Sequence, residues 1–304
     1  MVLQRDAELS ELLKEVRRIE VQSRRLAAGV MAGGYASVFR GAGLEFDEVR
    51  EYAEGDDPRS IDWNVTARTG RPHVKKYVDE RELTLLFLLD LSASMGGGFG
   101  VWSARQMAAR VCACLALSAV RHHDKTGLIA FGGAVEKFVP PRKGIGHALR
   151  IVRDCLALPG GGARTRIEPA LTLAAQVVRR RAVLFLVSDF LADGWQEPLA
   201  LCARRHDVIA MRLLPPELSP PEAGLMRLRD PESGAERLVD WRSARVRAGY
   251  SQRVADWRRA TEESLRRAGV DRMDVPLPRV PRRDAVARPI LAFFRMRELR
   301  ATKR

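Results

Sequence analysis

The apolar residues change period along the chain, and each period predicts a different kind of element. From 3 to 28, Leu9, Leu12, Leu13, Val16 and Ile19 recur at helical spacing, with arginines and glutamates between them. That is the stripe of an amphipathic helix, and Gly33-Gly34 ends it. Residues 35 to 82 hold only short apolar pieces. Gly41-Ala42-Gly43 and Gly55-Asp56-Asp57-Pro58 signal turns and Val74 to Val78 a strand, so a small, mostly β accessory segment packed on its neighbour is expected.

From Leu83 the pattern alternates between buried strands and helices. Leu83 to Leu89, Lys125 to Phe131, Ala182 to Val187 and Asp207 to Leu214 are apolar runs of strand length. Between them, Ser103 to Arg121, Gly146 to Leu156, Ile167 to Arg181 and Pro198 to Arg205 read as helices. This order predicts an α/β fold, a mostly parallel Rossmann-like sheet flanked by helices. Further on, Leu225 to Leu228 and Glu236 to Val239 read as a hairpin turning through Pro231-Glu232-Ser233-Gly234. A helix over Arg245 to Ala268, a strand around Met273 to Val275 and a helix over Asp284 to Leu299 follow. The organisation expected is an N-terminal helix (1–34), the accessory segment (35–82), the α/β core (83–214) and a C-terminal hairpin with helices completing the domain (215–304).

Composition narrows the class. The chain has 304 residues, 46% hydrophobic and 30% charged, which describes a globular protein with a sizeable core. Its formal net charge of +14 suits an anionic partner, but the basic residues are interspersed with acids, as on a solvated face. Only Arg179-Arg180-Arg181 is a cluster, at an expected helix end. Cys112, Cys114, Cys155 and Cys202 form no C-x-x-C pair and are expected as small core residues in a reducing compartment. No apolar run reaches the roughly 18 residues of a membrane span, and no signal core opens the chain, so a cytoplasmic location is expected.

Ligands bind open parallel sheets beyond the carboxyl ends of the strands. Asp90-Leu91-Ser92-Ala93-Ser94 follows the first core strand, Ser188-Asp189 follows the third, and Thr165 closes a glycine-rich turn between them. Taken singly, Ser92, Ser94 and Thr165 are accounted for as helix caps. Taken together, Asp90, Ser92, Ser94, Thr165 and Asp189 offer hard oxygen donors that suit Mg²⁺, with Mn²⁺ or Ca²⁺ as alternatives. No Cys or His stands near to favour zinc.

The D-x-S-x-S spacing followed by a distant Thr and Asp resembles the metal-ion-dependent adhesion site of von Willebrand factor type A (vWA) domains. The resemblance implies that Ser92, Ser94 and Thr165 bind the metal directly and that Asp90 and Asp189 act mainly through water. A partner's carboxylate would then take the open position. Upstream, Gly43-Leu44-Glu45-Phe46, Arg50-Glu51-Tyr52, Gly55-Asp56-Asp57, Arg59, Ile61-Asp62-Trp63 and Ala67-Arg68 resemble the bacterial family called domain of unknown function 58. The match continues through Lys75-Lys76-Tyr77 and Glu80-Arg81-Glu82. Members resemble vWA proteins encoded beside MoxR-type AAA+ ATPases, which implies such an ATPase as partner in protein maturation or remodelling. One departure stands out: Arg166 follows Thr165 where the family has Asp, with Arg164 on the other side. These guanidiniums would repel a cation, yet would suit a bidentate grip on an incoming carboxylate.

The cluster of Asp56, Asp57, Arg59, Asp62, Trp63 and Arg68 is either a docking surface or an ion-pair network fixing the accessory segment. The network is preferred because Ile61 and Trp63 are expected to be buried. Two other function classes compete with an interaction module. A Rossmann-like phosphatase with Asp90 as nucleophile would need an acid two residues on, where Ser92 stands. Non-specific nucleic-acid binding would rest on charge alone. There is no G-x-x-x-x-G-K-[ST] loop, so nucleotide hydrolysis would belong to a partner.

Overall fold

A computed structural model describes residues 14–26, 45–53, 56–78, 82–160, 165–222, 224–282 and 284–301. Residues 14–26 form helix α1, with Ile19 fully buried. The rest of the predicted 3–28 stripe, including Leu9, Leu12 and Leu13, lies outside the described residues.

In the accessory segment, β1 (Glu45–Glu51) pairs antiparallel with β2 (His73–Val78). Between them stands α2 (Trp63–Thr69), a helix within the stretch expected to be mostly β. Asp62 makes the helix start there by accepting from the N–H groups of Asn64 and Val65, and Gly70 ends it at a φ of 70°. The burial expected of Trp63 is overturned: it is 70% exposed as the first residue of this short surface helix.

The core is a six-stranded sheet. Its elements are β3 (Thr84–Asp90), the short α3 (Ala93–Gly96), α4 (Ala104–Arg121), β4 (Lys125–Phe131), β5 (Val135–Arg142), α5 (Ile145–Ala157), α6 (Glu168–Val177), β6 (Val183–Ser188), α7 (Gln196–Ala203) and β7 (Asp207–Leu214). After them come the exposed hairpin β8 (Leu225–Arg229) and β9 (Glu236–Asp240), then α8 (Ala244–Arg267), β10 (Asp271–Pro276) and α9 (Ala287–Ala301). The strand order is β10-β7-β6-β3-β4-β5, all parallel except β5. This is the expected α/β class, a mixed, mostly parallel sheet flanked by helices.

Both sheet faces are covered, which is why β3 reads as an unbroken apolar run. Leu85, Phe87 and Leu89 pack into one core with α4, α5 and α9. Leu86 and Leu88 join the other, with α6 and α7. Gly127 in β4 is required by this packing, since a Cβ there would meet Leu86 and Pro141 at 3.0 Å. The four cysteines are free and buried, as their apolar settings predicted.

Several predicted bounds shift. The helix expected to run to Arg181 stops at Val177, because Val178 is extended and buried on its way into β6. The last helix begins at Ala287 rather than Asp284, after a turn.

A fully buried arginine fastens the far edge of the sheet. Arg212 on β7 grips both carboxylate oxygens of Asp274 on β10 (2.9 and 3.0 Å), bonds Glu262 of α8 at 3.1 Å and lies over Trp257. Truncating it would leave those carboxylates with Arg272, a more exposed partner, alone. Because Asp274 and Glu262 keep some water contact, the loss should fall at the low end for a broken buried pair. Arg212→Ala is expected to cost about 3 kcal/mol in a urea unfolding series. A change within the scatter of surface substitutions would remove Arg212 as the fastener.

Candidate metal centre

Strand register builds the centre. β3 lies between β4 and β6, and Leu89 stands opposite Val187. The next residues, Asp90 and Ser188, are therefore neighbours at the carboxyl ends of two central strands. The chain leaves β3 towards β4 and later returns to the other side as β6. The centre thus lies at the switch in strand order, where open α/β sheets bind ligands.

Asp90 is fully buried. One of its oxygens accepts from the backbone N–H of Ser92 (2.8 Å), the other from the hydroxyl of Ser188 (2.6 Å). The Ser92 and Ser94 hydroxyls face each other at 3.0 Å, and Ser94 donates to Asp189 at 2.7 Å. Four predicted residues, Asp90, Ser92, Ser94 and Asp189, are thus joined, with Ser188 as a fifth that the sequence did not single out for this role.

The hydroxyls are not spent on capping. Ser92 stands at the N-cap of α3 but makes no side-chain cap bond, and Thr165 lies two residues before the Ile167 N-cap of α6. Thr165 is buried and donates at 2.7 Å to Glu232, at the turn of the β8–β9 hairpin. Glu232 is the other residue missed. Its sequence reads only as a hairpin turn, and its role depends on where that hairpin lands. Arg166 is exposed and directs its guanidinium to Glu168 at 3.0 Å. Arg164 lies outside the described residues.

Asp189 is aimed by a turn in which Phe190 takes a φ of 60°, rare for a bulky residue. The turn is over-determined. Phe190 is buried edge-on against Trp195, its N–H donates to Ser188, and its carbonyl accepts from Trp257. Leu191 N–H bonds the second oxygen of Asp189 at 3.0 Å.

Burial pushes the Asp90 carboxyl up to about 6, and the charge of Asp189 adds to the rise, against hydrogen bonds from Ser188 and Ser92. Burial also raises Asp189, with Glu232 contributing. Two buried carboxylates near each other, with hydroxyls beside them, make a centre whose charge must be offset by hydrogen bonds, protons or a cation. The donors are hard oxygens, and among the described residues no group of three or more His, Cys, Asp or Glu is placed to hold a metal ion, so any cation here would depend on the hydroxyls. The residues therefore fit Mg²⁺ better than a soft metal.

In the accessory cluster the acids have local partners. Asp56 grips Arg50 at 2.6 and 2.8 Å, Asp57 accepts from Arg59 N–H, and Asp62 caps α2. Trp63, Arg59 and Arg68 are exposed.

The family model for "Protein of unknown function DUF58" matches residues 48–260. The chain belongs to the DUF58 family. A DUF58 relative, the uncharacterized protein Rv1480 of Mycobacterium tuberculosis, is 31% identical over 272 residues, covering 88% of this chain and 86% of its own. An uncharacterized Mycobacterium avium protein is 30% identical over 137 residues, 43% of this chain and 79% of its own. Solved structures with distant likeness include BatB of Bacteroides thetaiotaomicron (15% identity, TM-score 0.45, 71% of this chain and 99% of that one). The SpRpn10 VWA domain is 12% identical, with TM-score 0.38, over 69% of this chain and 94% of its own. The mussel byssus proximal thread matrix protein 1, solved with zinc in its MIDAS motif, is 17% identical (TM-score 0.35, 44% of this chain and 39% of that one). For this DUF58 chain, no helix among the described residues is long and apolar enough to cross a membrane.

The raised Asp90 carboxyl gives a signed expectation. A folded-state value above the unfolded one means that the folded chain binds the extra proton, so stability falls as pH rises between the two. The metal-free protein should carry the full cost above about pH 6 and little of it near pH 4. Asp90→Asn removes the charge with the shape kept. Its melting temperature should match wild type near pH 4 and exceed it at neutral pH. A difference that does not vary with pH would mean that Asp90 carries no such cost.

Proposed function

We propose that this chain is a non-enzymatic protein-interaction module whose centre takes Mg²⁺, or Mn²⁺ or Ca²⁺ in its place. The observation that supports this most is the linked set Asp90, Ser92, Ser94 and Asp189, closed over two buried carboxylates with its hydroxyls unused by the helices. Ser92, Ser94 and Thr165 would hold the cation, with Asp90 and Asp189 balancing its charge. Bound there, the cation supplies an electrophilic position for a carboxylate from a partner. Ser188 and the Ser92 N–H fix the Asp90 carboxylate, and the Phe190 turn fixes Asp189, so the donors are positioned in advance.

The partner we assign, on the family resemblance, is a MoxR-type AAA+ ATPase acting in protein maturation or remodelling. An interaction role is favoured over a phosphatase because the residue two beyond Asp90 is Ser92, whose hydroxyl faces Ser94 rather than supplying an acid. The +14 charge gives nucleic acid only a non-specific, salt-sensitive hold.

The test pairs metal with partner. Calorimetric titration of the metal-free chain with Mg²⁺ should give one site, lost in Ser92→Ala and Asp90→Ala. Capture of a MoxR-type AAA+ ATPase should need Mg²⁺ and fail with the same variants. If Asp90→Ala leaves both metal uptake and capture intact, the reading is wrong.

A further inference from the structure

The hairpin that carries Glu232 is built to present it. Its turn is braced from within. Asp230 accepts from the N–H groups of Glu232 (2.9 Å) and Ser233 (3.3 Å) and from the Ser233 hydroxyl (2.8 Å), and Gly234 closes the turn at a φ of 71°. Those bonds hold Glu232 at the tip. The strands behind it are largely exposed. Beneath them Met226, Leu228 and Trp241 face Phe99, Pro216 and Tyr250 across a cavity of about 330 Å³. A rigid tip on lightly packed strands can swing without opening the core.

At the tip, Glu232 brings a carboxylate to Thr165, the hydroxyl that the vWA resemblance makes a donor to the centre. It is half-buried and receives the Thr165 hydroxyl at 2.7 Å. Its charge is felt at Asp189. Of the arginines that flank Thr165, Arg166 is engaged by Glu168 and Arg164 lies outside the described residues; among the described residues the Glu232 carboxylate meets the Thr165 hydroxyl. A carboxylate at a hydroxyl that also serves as a metal donor is where an incoming acidic side chain would sit.

We propose that Glu232 is an internal carboxylate held in the partner's place, and that the β8–β9 hairpin is a latch which a partner's acidic side chain must displace. This rests on the metal reading above. With a cation present, Glu232 completes the shell from within the chain and the hairpin closes. A partner's Asp or Glu then competes with it, so the chain discriminates against weak acidic ligands.

The test uses the full chain with terbium(III) as the metal probe, comparing wild type with Glu232→Gln. Luminescence lifetimes in H₂O and D₂O count the metal-bound waters, and hydrogen exchange follows the amides of residues 225–240. The latch predicts about one more water in Glu232→Gln. It also predicts that terbium slows hairpin exchange by about tenfold in wild type and leaves the variant unchanged. Glu232→Gln keeps the size of the side chain and an oxygen to accept from Thr165, and matching melting temperatures check that folding is kept. If wild type takes up no terbium, the metal reading fails and the latch with it. If wild type takes up terbium and the substitution changes neither quantity, the latch alone fails.

Discussion

A carboxylate buried at the end of a central strand is the constraint around which this molecule is arranged. Asp90 has no exposed surface, and Asp189 stands close enough to raise it further. Isolated burial of such a pair is costly, and a protein that keeps it must offset the charge with hydrogen bonds, protons or a cation. Here the hydrogen bonds are supplied by the fold: the Ser188 hydroxyl through strand register, and the Ser92 and Leu191 N–H groups through the turns that leave β3 and β6. The remaining charge is what the proposed cation would offset.

The rest of the sheet keeps those groups in place. Two apolar cores clamp β3 from both faces, and Gly127 lets β4 and β5 approach it closely. At the other edge, Arg212 ties β7 to β10 and α8. Arg297 of α9 bonds both oxygens of Asp207 at 2.7 Å and reaches Asp271 at 2.8 Å. Rigid strands carry Asp90 and Ser188, whereas Glu232 arrives on an exposed hairpin. Fixed donors and a carboxylate on an exposed hairpin are the division of labour that the proposed latch requires.

Much of this was legible in the sequence because period reports burial. The apolar runs of β3, β4, β6 and β7 announced strands covered on both faces, and D-x-S-x-S after the first of them announced the centre. What escaped was governed by position in the fold. β5 carries Pro140-Pro141, which argue against a strand until β5 is seen at the sheet edge, where missing donors are tolerated. Trp63 looked like core, yet capping by Asp62 starts a helix there that leaves the indole outside. Ser188 depends on register, and Glu232 on a contact with Thr165, 67 residues away. Neither relation leaves a local signal.

The most direct measurement is anomalous diffraction from a crystal of the wild-type chain soaked in Mn²⁺. The account predicts one strong manganese peak between the Ser92 and Ser94 hydroxyls, beside Asp90 and Asp189. A saturating soak with no peak there, or with manganese only at surface carboxylates, would contradict it and leave the buried pair to be offset by protons alone.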